Sequence, residues 1–337
     1  MTDRSLIDAA PAPAEPRPAE PTARAPALPR KWTDAKLCAD GAARAEVALR
    51  AAGVETLWFN TGTLCNIACA NCYIESSPTN DRLVYLNAEE ARRYLDEIDS
   101  LGWDTREIGF TGGEPFLNPD APEMIGDALE RGREALVLTN AMRPMLRERP
   151  AAALKALAAR HGARLTLRVS LDHHAPEVHD AERGAGAFAA AMEGLRFLAG
   201  IGARLHVAGR AGFAEDEAAA RAGYAALFHR EGLPIDADDP VATLLFPEMR
   251  PEADPPEITQ GCWSILNRPP ESVMCANARM VVKRRGAARP AVLACTLIPY
   301  DARFELGETL AESSRPVALQ HPYCATFCVL GGARCSA

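Results

Sequence analysis

Short apolar runs alternate with amphipathic stretches from about residue 54 to residue 247. Glu55–Asn60, Arg106–Phe110, Ala135–Thr139, Arg164–Ser170, Ala203–Ala208 and Val241–Phe246 read as strands. Helical patterns lie between them. Asn87 followed by Glu90 makes a capping box, and behind it Ala91, Tyr94, Leu95, Ile98 and Leu101 share one helical face that Gly102 ends. Asp120 with Glu123 opens a second helix ending at Gly132. Phe188, Met192, Leu195 and Leu198 stripe a later one that Gly200 closes. Five or six such repeats predict an α/β fold with a parallel sheet, because parallel neighbours need a crossover helix. Six repeats fall short of a closed eight-stranded barrel, so a partial (β/α)6 TIM-type barrel or an open sheet is expected.

Beyond Pro247 the repeat stops at the proline-rich segment EMRPEADPPEITQ, a linker or an active-site loop. A hairpin, Ala278–Val282 with Ala291–Cys295 around KRRGAARP, is the plainest element after it. At the other end, half of the first thirty residues are Ala or Pro, with no apolar periodicity. Such a segment cannot offset its ordering entropy. The expected organisation is a disordered tail over 1–50, a core over 51–250 and a small cysteine-rich domain over 251–337.

With 337 residues, 48% of them hydrophobic, the chain can bury a sizeable core without disulfides. A formal net charge of −8 argues against a broad nucleic-acid surface. No apolar run reaches the ~20 residues of a membrane helix. The ten cysteines change the picture most. Cys65, Cys69 and Cys72 are clustered, and Cys262, Cys275, Cys295, Cys324, Cys328 and Cys335 occupy the last quarter. The N-terminus lacks the apolar stretch of a signal sequence, so a cytoplasmic setting is expected, where clustered thiols are metal ligands or redox groups.

The segment TLCNIACANCYIESSP, directly after the first strand, has the spacing Cys-x3-Cys-x2-Cys. Three thiolates on one tight loop can hold three corners of an iron–sulfur cubane and leave one iron open. A partial zinc site is the competing reading. Gly112-Gly113-Glu114-Pro115 follows the second strand, Thr139-Asn140 ends the third, and the fourth runs into Ser170-Leu171-Asp172 and PEVHDAERGAGAF. All fall at C-terminal strand ends, the functional face of parallel α/β folds.

In these motifs the chain resembles the radical SAM superfamily over about residues 54–247. The resemblance implies a [4Fe-4S] cluster on Cys65, Cys69 and Cys72 that chelates S-adenosylmethionine (SAM) and cleaves it reductively to a 5′-deoxyadenosyl radical. It implies that Gly112, Gly113, Glu114 and Pro115 meet the SAM amino group, the Glu114 carboxylate pairing with the ammonium. Asn140 joins that binding set, and Ser170 and Arg183 would hold the SAM carboxylate, Arg183 through a bidentate fork. Asn71 departs from the family, which often has an aromatic before its third cysteine.

The C-terminal cysteines, with their hairpin and the RFELGETLAES segment, are similar to SPASM and Twitch extensions, which imply one or two auxiliary iron–sulfur clusters. A Twitch-like set would use Cys275, Cys295, Cys324 and Cys328, leaving Cys262 and Cys335 spare or substituting for a member; a zinc ribbon is the alternative. The terminal Cys-x3-Cys departs from the usual Cys-x2-Cys. Cys38 stands outside every set. His173, His174 and His179 read as loop surface, with no carboxylate spacing that completes a ligand set. His206 reads as a core residue, although it and Arg210 could face the barrel interior and meet substrate. The implied partners are a reducing electron donor such as flavodoxin or ferredoxin and a peptide or small-molecule substrate. The alternative function is a non-catalytic iron–sulfur or zinc-binding carrier or sensor.

Overall fold

The computed structural model describes residues 30–249 and 254–333. A short strand, β1 (Glu46–Val47), precedes β2 (Thr56–Asn60), whose five residues are all buried. Next come α1 (Ala88–Leu101), β3 (Glu107–Thr111), α2 (Ala121–Glu130) and β4 (Glu134–Thr139). The chain continues through α3 (Arg143–Leu146), α4 (Glu148–His161), β5 (Leu165–Ser170), α5 (Pro176–Arg183) and α6 (Ala187–Gly200). β6 (Arg204–Arg210), α7 (Glu217–Glu231) and β7 (Thr243–Phe246) complete the repeat. The six expected strands are all present, each within two residues of its predicted ends.

Strands β2 to β7 pair in sequence order and in parallel. Each connection carries helices back along the outside, which gives the expected partial barrel. Alternate strand residues face opposite ways. Leu57, Phe59, Ile108, Phe110, Val137, Leu167 and Val207 are buried beneath the helices. On the concave side Trp58 and Leu136 join a second apolar cluster, shared with the C-terminal segment.

Helix α1 begins as its capping box dictates. The Asn87 Oδ1 accepts from the Glu90 N–H at 2.8 Å, and the Glu90 carboxylate accepts from the Asn87 N–H at 3.1 Å. Ala91, Tyr94, Leu95 and Ile98 are buried, but Leu101, in the last turn, is 39% exposed. Asp120 does not cap its own helix; its carboxylate accepts from the Ala88 N–H at 3.2 Å and so fixes the start of α1.

Two expected boundaries are corrected. After α8 (Cys262–Ile265), β8 (Ala278–Val282) pairs in parallel with β2, and β9 (Ala291–Leu293) and β10 (Glu305–Gly307) follow antiparallel. The C-terminal segment therefore extends the barrel sheet to nine strands and is not a detached domain. Residues 30–50, expected as tail, are packed. Trp32 is fully buried, and β1 pairs with β11 (Val317–Ala318). The buried Arg44 guanidinium donates to the Lys31 and Leu37 carbonyls and to Glu257 at 2.6 Å. Residues 1–29 of the expected tail, and Arg250 to Ala253 of the linker, lie outside the described residues.

Candidate active site

The loop after β2 carries Cys65, Cys69 and Cys72, and the turn after β3 is built to receive it. The Gly113 N–H donates to the Gly62 carbonyl at 2.8 Å, and the Glu114 N–H donates to the Leu64 carbonyl at 3.1 Å. A Cβ on Gly113 would stand 2.1 Å from the Leu64 oxygen. The two glycines are thus required by a backbone-to-backbone approach that seats Cys65. From the other side, the Ala70 N–H donates to the Glu182 carbonyl at 2.9 Å, and the Asn71 amide to the Glu182 carboxylate at 2.6 Å. The loop is clamped between the β3 turn and the end of α5.

Glu114 does not play the expected part. Its carboxylate is buried and turned onto its own scaffold, where it accepts from the Thr139 hydroxyl and the Asn140 N–H, both at 2.8 Å, and from the Phe116 N–H at 3.3 Å. It joins the β3 turn to the end of β4 rather than offering itself to an ammonium. Burial pushes its pKa up to about 7 against the pull of those donors. Pro115 opens a buried turn, Pro115–Leu117. Gly112 and Gly113 do border the cavity described next.

A cavity of about 200 Å³ lies over the C-terminal strand ends. Cys65, Cys69, Cys72 and Tyr73 line it together with Trp58, Asn140, Ser170 and Arg183. Thr296, Leu297 and Phe327 from the C-terminal segment line it as well. Of the sequence-predicted SAM-binding set, Gly112, Gly113, Asn140, Ser170 and Arg183 are brought together here. The Asn140 amide also reaches Asn66 at 2.9 Å and the Cys65 sulfur at 3.7 Å.

The Arg183 fork is already engaged. Its Nε and Nη2 donate to the two Asp172 oxygens, each at 2.8 Å. Burial raises the Asp172 pKa, but the Arg183 charge and hydrogen bonds outweigh it and hold the carboxyl below its ordinary 3.8. Arg183 therefore borders the cavity as a neutralised pair. Arg210, at the end of β6, lines the cavity as well, and its Nη1 donates to Glu182 at 2.6 Å. His206 is half-buried, and its pKa is pushed down to about 4 by burial and by Arg168 and Arg204.

Cys65 and Cys69 are not poised to ionise unaided. Burial pushes Cys65 up to about 12 and raises Cys69, with the Arg183 charge opposing the shift at Cys69. Bound metal would have to displace the protons, as it does in thiolate sites generally. Among the described residues no three cysteine sulfurs come within 4.8 Å of one another. A tetrahedral zinc with ~2.3 Å bonds would draw its sulfurs to about 3.8 Å. The loop thiols thus stand wider apart than the sulfurs of one tetrahedral ion.

Cys275 lies in the turn before β8, Cys295 just after β9, and Cys324 and Cys328 on one π-helical turn, Cys324–Leu330. Burial raises the Cys275, Cys295 and Cys324 thiols, and each of these is raised further by others of the set: Cys275 by Cys328, Cys295 by Cys328, Cys324 and Cys275, and Cys324 by Cys275 and Cys328. These four form one group. Cys262 acts instead on Cys38, and its sulfur accepts from the Thr259 N–H at 3.4 Å. Cys335 lies outside the described residues.

The histidines differ from expectation. The His173 and His174 rings stack with centroids 4.2 Å apart, and both Nε2 atoms reach Glu215, at 2.6 and 3.1 Å. The carboxylate lies about forty residues downstream, so no local spacing announces it. The Ala175 N–H donates to His173 Nδ1 at 2.9 Å, which places the proton of the neutral ring on Nε2. His173 is a donor to Glu215 in a clasp between two loops, and with His174 the three offer ligand atoms within 4.8 Å of one another. Sequence patterning also did not single out Trp58, Phe246 and Phe327, which line the cavity.

Residues 59–212 match the Radical SAM superfamily. The chain is 33% identical over 145 residues to the antilisterial bacteriocin subtilosin biosynthesis protein AlbA of Bacillus subtilis, covering 43% of this chain and 30% of that protein. It is 32% identical over 138 residues to the mycofactocin maturase MftC of Mycobacterium ulcerans, covering 41% and 34%. The aligned part thus spans about a third of the length of these curated relatives. Among solved structures, Streptococcus suis SuiB bound to SAM superposes with a TM-score of 0.54 at 12% identity, covering 76% of this chain and 63% of that one. Hexahistidine-tagged anSMEcpe with bound AdoMet gives 0.54 at 13%, covering 77% and 76%. At these identities the structural likeness concerns the fold, and it is the partial barrel described above. The cysteine loop, the glycine turn and most of the cavity's strand-end residues fall within residues 59–212, the part of the chain that matches the Radical SAM superfamily.

Proposed function

We propose that the protein is a radical SAM enzyme that oxidises a substrate held between two iron–sulfur sites. The observation that carries this reading is the shared cavity. Its lining includes both Cys65, Cys69 and Cys72 and, from the C-terminal segment, Thr296 and Phe327, the sequence neighbours of Cys295 and Cys328.

Cys65, Cys69 and Cys72 would hold a [4Fe-4S] cluster with one iron left open to SAM. When bound, cluster and SAM supply reductive cleavage to a 5′-deoxyadenosyl radical able to remove a substrate hydrogen. The chain's own residues supply position and exclusion of water. Gly112 and Gly113 offer backbone at the strand end, Asn140 and Ser170 offer polar contacts, and the Arg183–Asp172 pair closes the side. Because Asp172 takes the fork, the remaining Arg183 Nη1 is the donor left for a SAM carboxylate. Trp58, Leu138 and Phe246 give part of the lining an apolar character suited to a reactive radical.

Four grouped cysteines, Cys275, Cys295, Cys324 and Cys328, match a cubane with a protein ligand at every corner. That favours an auxiliary cluster that accepts an electron from the oxidised substrate over one that binds substrate through an open iron. Cys262 then has no ligand role. The bacteriocin-biosynthesis relative supports a peptide substrate, and the match to an Fe-coproporphyrin III synthase, 33% identical over 138 residues, supports a small molecule. An external reductant of the flavodoxin or ferredoxin type would feed the first cluster.

Anaerobic reconstitution with iron and sulfide tests the two-site reading. About eight irons per chain are expected in the wild type. About four are expected in the C65A/C69A/C72A variant and again in C275A/C295A/C324A/C328A. A wild type that binds one or two zinc ions and no iron would overturn it.

A further inference from the structure

Arg279, on β8, is fully buried, and among the described residues no carboxylate answers its charge. Its Nη1 donates to the carbonyls of Cys275 at 2.7 Å and Ala278 at 2.8 Å, and its Nε donates to the Ser313 carbonyl at 3.0 Å. Nη2 is buried without a partner. The neighbouring basic groups differ: Lys283 pairs with Glu90, Arg284 with Glu305 and Arg303 with Asp301. Among the described residues, the ionisable group that acts on Arg279 is the Cys275 thiol.

A guanidinium in a protein interior costs several kcal/mol unless a counter-charge is present, and carbonyl dipoles supply no net charge. Arginine does not escape the cost by losing its proton, as lysine can. The missing negative charge should therefore lie where the cation lies, beside Cys275. Four thiolates around an iron–sulfur core carry such a charge, whereas four protonated thiols do not.

We infer that Arg279 is the built-in counter-cation of an anionic metal centre on Cys275, Cys295, Cys324 and Cys328, and that it raises that centre's reduction potential. The inference rests on the auxiliary-cluster reading above. Reduction adds an electron to an already anionic centre, and a fixed positive charge in a low-dielectric wall stabilises the reduced form more than the oxidised one. The first site is arranged otherwise, since Arg183 is already neutralised by Asp172. Arg279 would thus bias electrons toward the C-terminal centre, which suits an acceptor of the substrate's electron.

The test uses the full chain carrying C65A/C69A/C72A, so that only the C-terminal centre contributes. This parent is compared with the same chain bearing R279Q or R279K, each reconstituted anaerobically. Iron is counted, and the reduced fraction is followed by EPR against a series of redox buffers. R279Q is expected to keep its iron and to show a reduced-to-oxidised ratio about tenfold lower at a fixed poise, which is 59 mV for a one-electron couple. R279K, which keeps the charge, is expected to stay within about threefold of the parent. Coincident titrations for R279Q and parent would overturn the role, as would an R279K shift as large as that of R279Q. If R279Q does not fold, R279M, which also removes the charge, is judged against R279K by the same threefold and tenfold limits. A parent that binds no iron would overturn the metal-centre reading itself, whereas iron with an unchanged potential would remove only the role of Arg279.

Discussion

The rings of Tyr73 and Tyr323 meet edge-on, with centroids 6.3 Å apart and planes at 68°. Tyr73 directly follows Cys72, and Tyr323 directly precedes Cys324. One aromatic contact thus joins the cysteine loop of the barrel to the C-terminal cysteine turn. A double-mutant cycle with Y73A and Y323A, followed by urea denaturation, should give a coupling of about 0.5–1.5 kcal/mol. Additive effects would mean that the two segments pack independently.

Gly113 is the tightest point between the β3 turn and the cysteine loop. G113A should destabilise the protein by about 1–3 kcal/mol and lower iron uptake at the first site, because the new Cβ collides with backbone rather than with a movable side chain. G126A is the control. Gly126 lies in α2, the nearest atom to its added Cβ is 3.6 Å away, and the substitution should stabilise by about 0.5–1 kcal/mol. Equal effects on iron content would contradict this role for Gly113.

Asp172 neutralises Arg183 at the cavity edge. D172N keeps the shape but leaves the guanidinium without its carboxylate, and should cost about 3 kcal/mol in chemical denaturation. A loss below about 1 kcal/mol would show the pair to be solvent-screened.

His179 is fully buried, accepts the Asp172 N–H through Nδ1 at 3.2 Å, and has its pKa pushed down to about 4, chiefly by burial and then by Arg183. The unfolded chain takes up a proton at this histidine near pH 6.5, while the folded chain resists until about pH 4. Its contribution to stability is therefore intact above pH 6.5 and is lost as the pH falls from there to 4. The slope from this group approaches about 1.4 kcal/mol per pH unit. Stability measured at intervals from pH 7 to 4.5 should fall more steeply in the wild type than in H179Q. Parallel profiles would contradict it.

Cys262 and Cys324 separate the two ligand sets that the cysteine count alone leaves open. C324A should lose the C-terminal metal, whereas C262A should retain the full iron content. Loss of iron in C262A would place Cys262 in the ligand set.

The six strands of the barrel, the capping box at Asn87 and the cysteine loop were legible because each is encoded locally, in alternation, in a three-residue spacing or in a motif. What escaped was encoded by partners far apart in the chain. β8 looks like half of an isolated hairpin, and only its pairing with β2 makes it a barrel strand. The His173–His174–Glu215 clasp, the Asp172 claim on the Arg183 fork and the inward turn of Glu114 are likewise set by tertiary packing. The packed segment 30–50 was hidden by the proline-rich composition before it, although Trp32 and Arg44 anchor it in the interior.

The most direct measurement is 5′-deoxyadenosine formation by the anaerobically reconstituted full chain given SAM and a low-potential reductant. The account predicts the product, detected by chromatography, from the wild type and only background from C69A. A wild type that carries iron on Cys65, Cys69 and Cys72 yet forms no 5′-deoxyadenosine would contradict it.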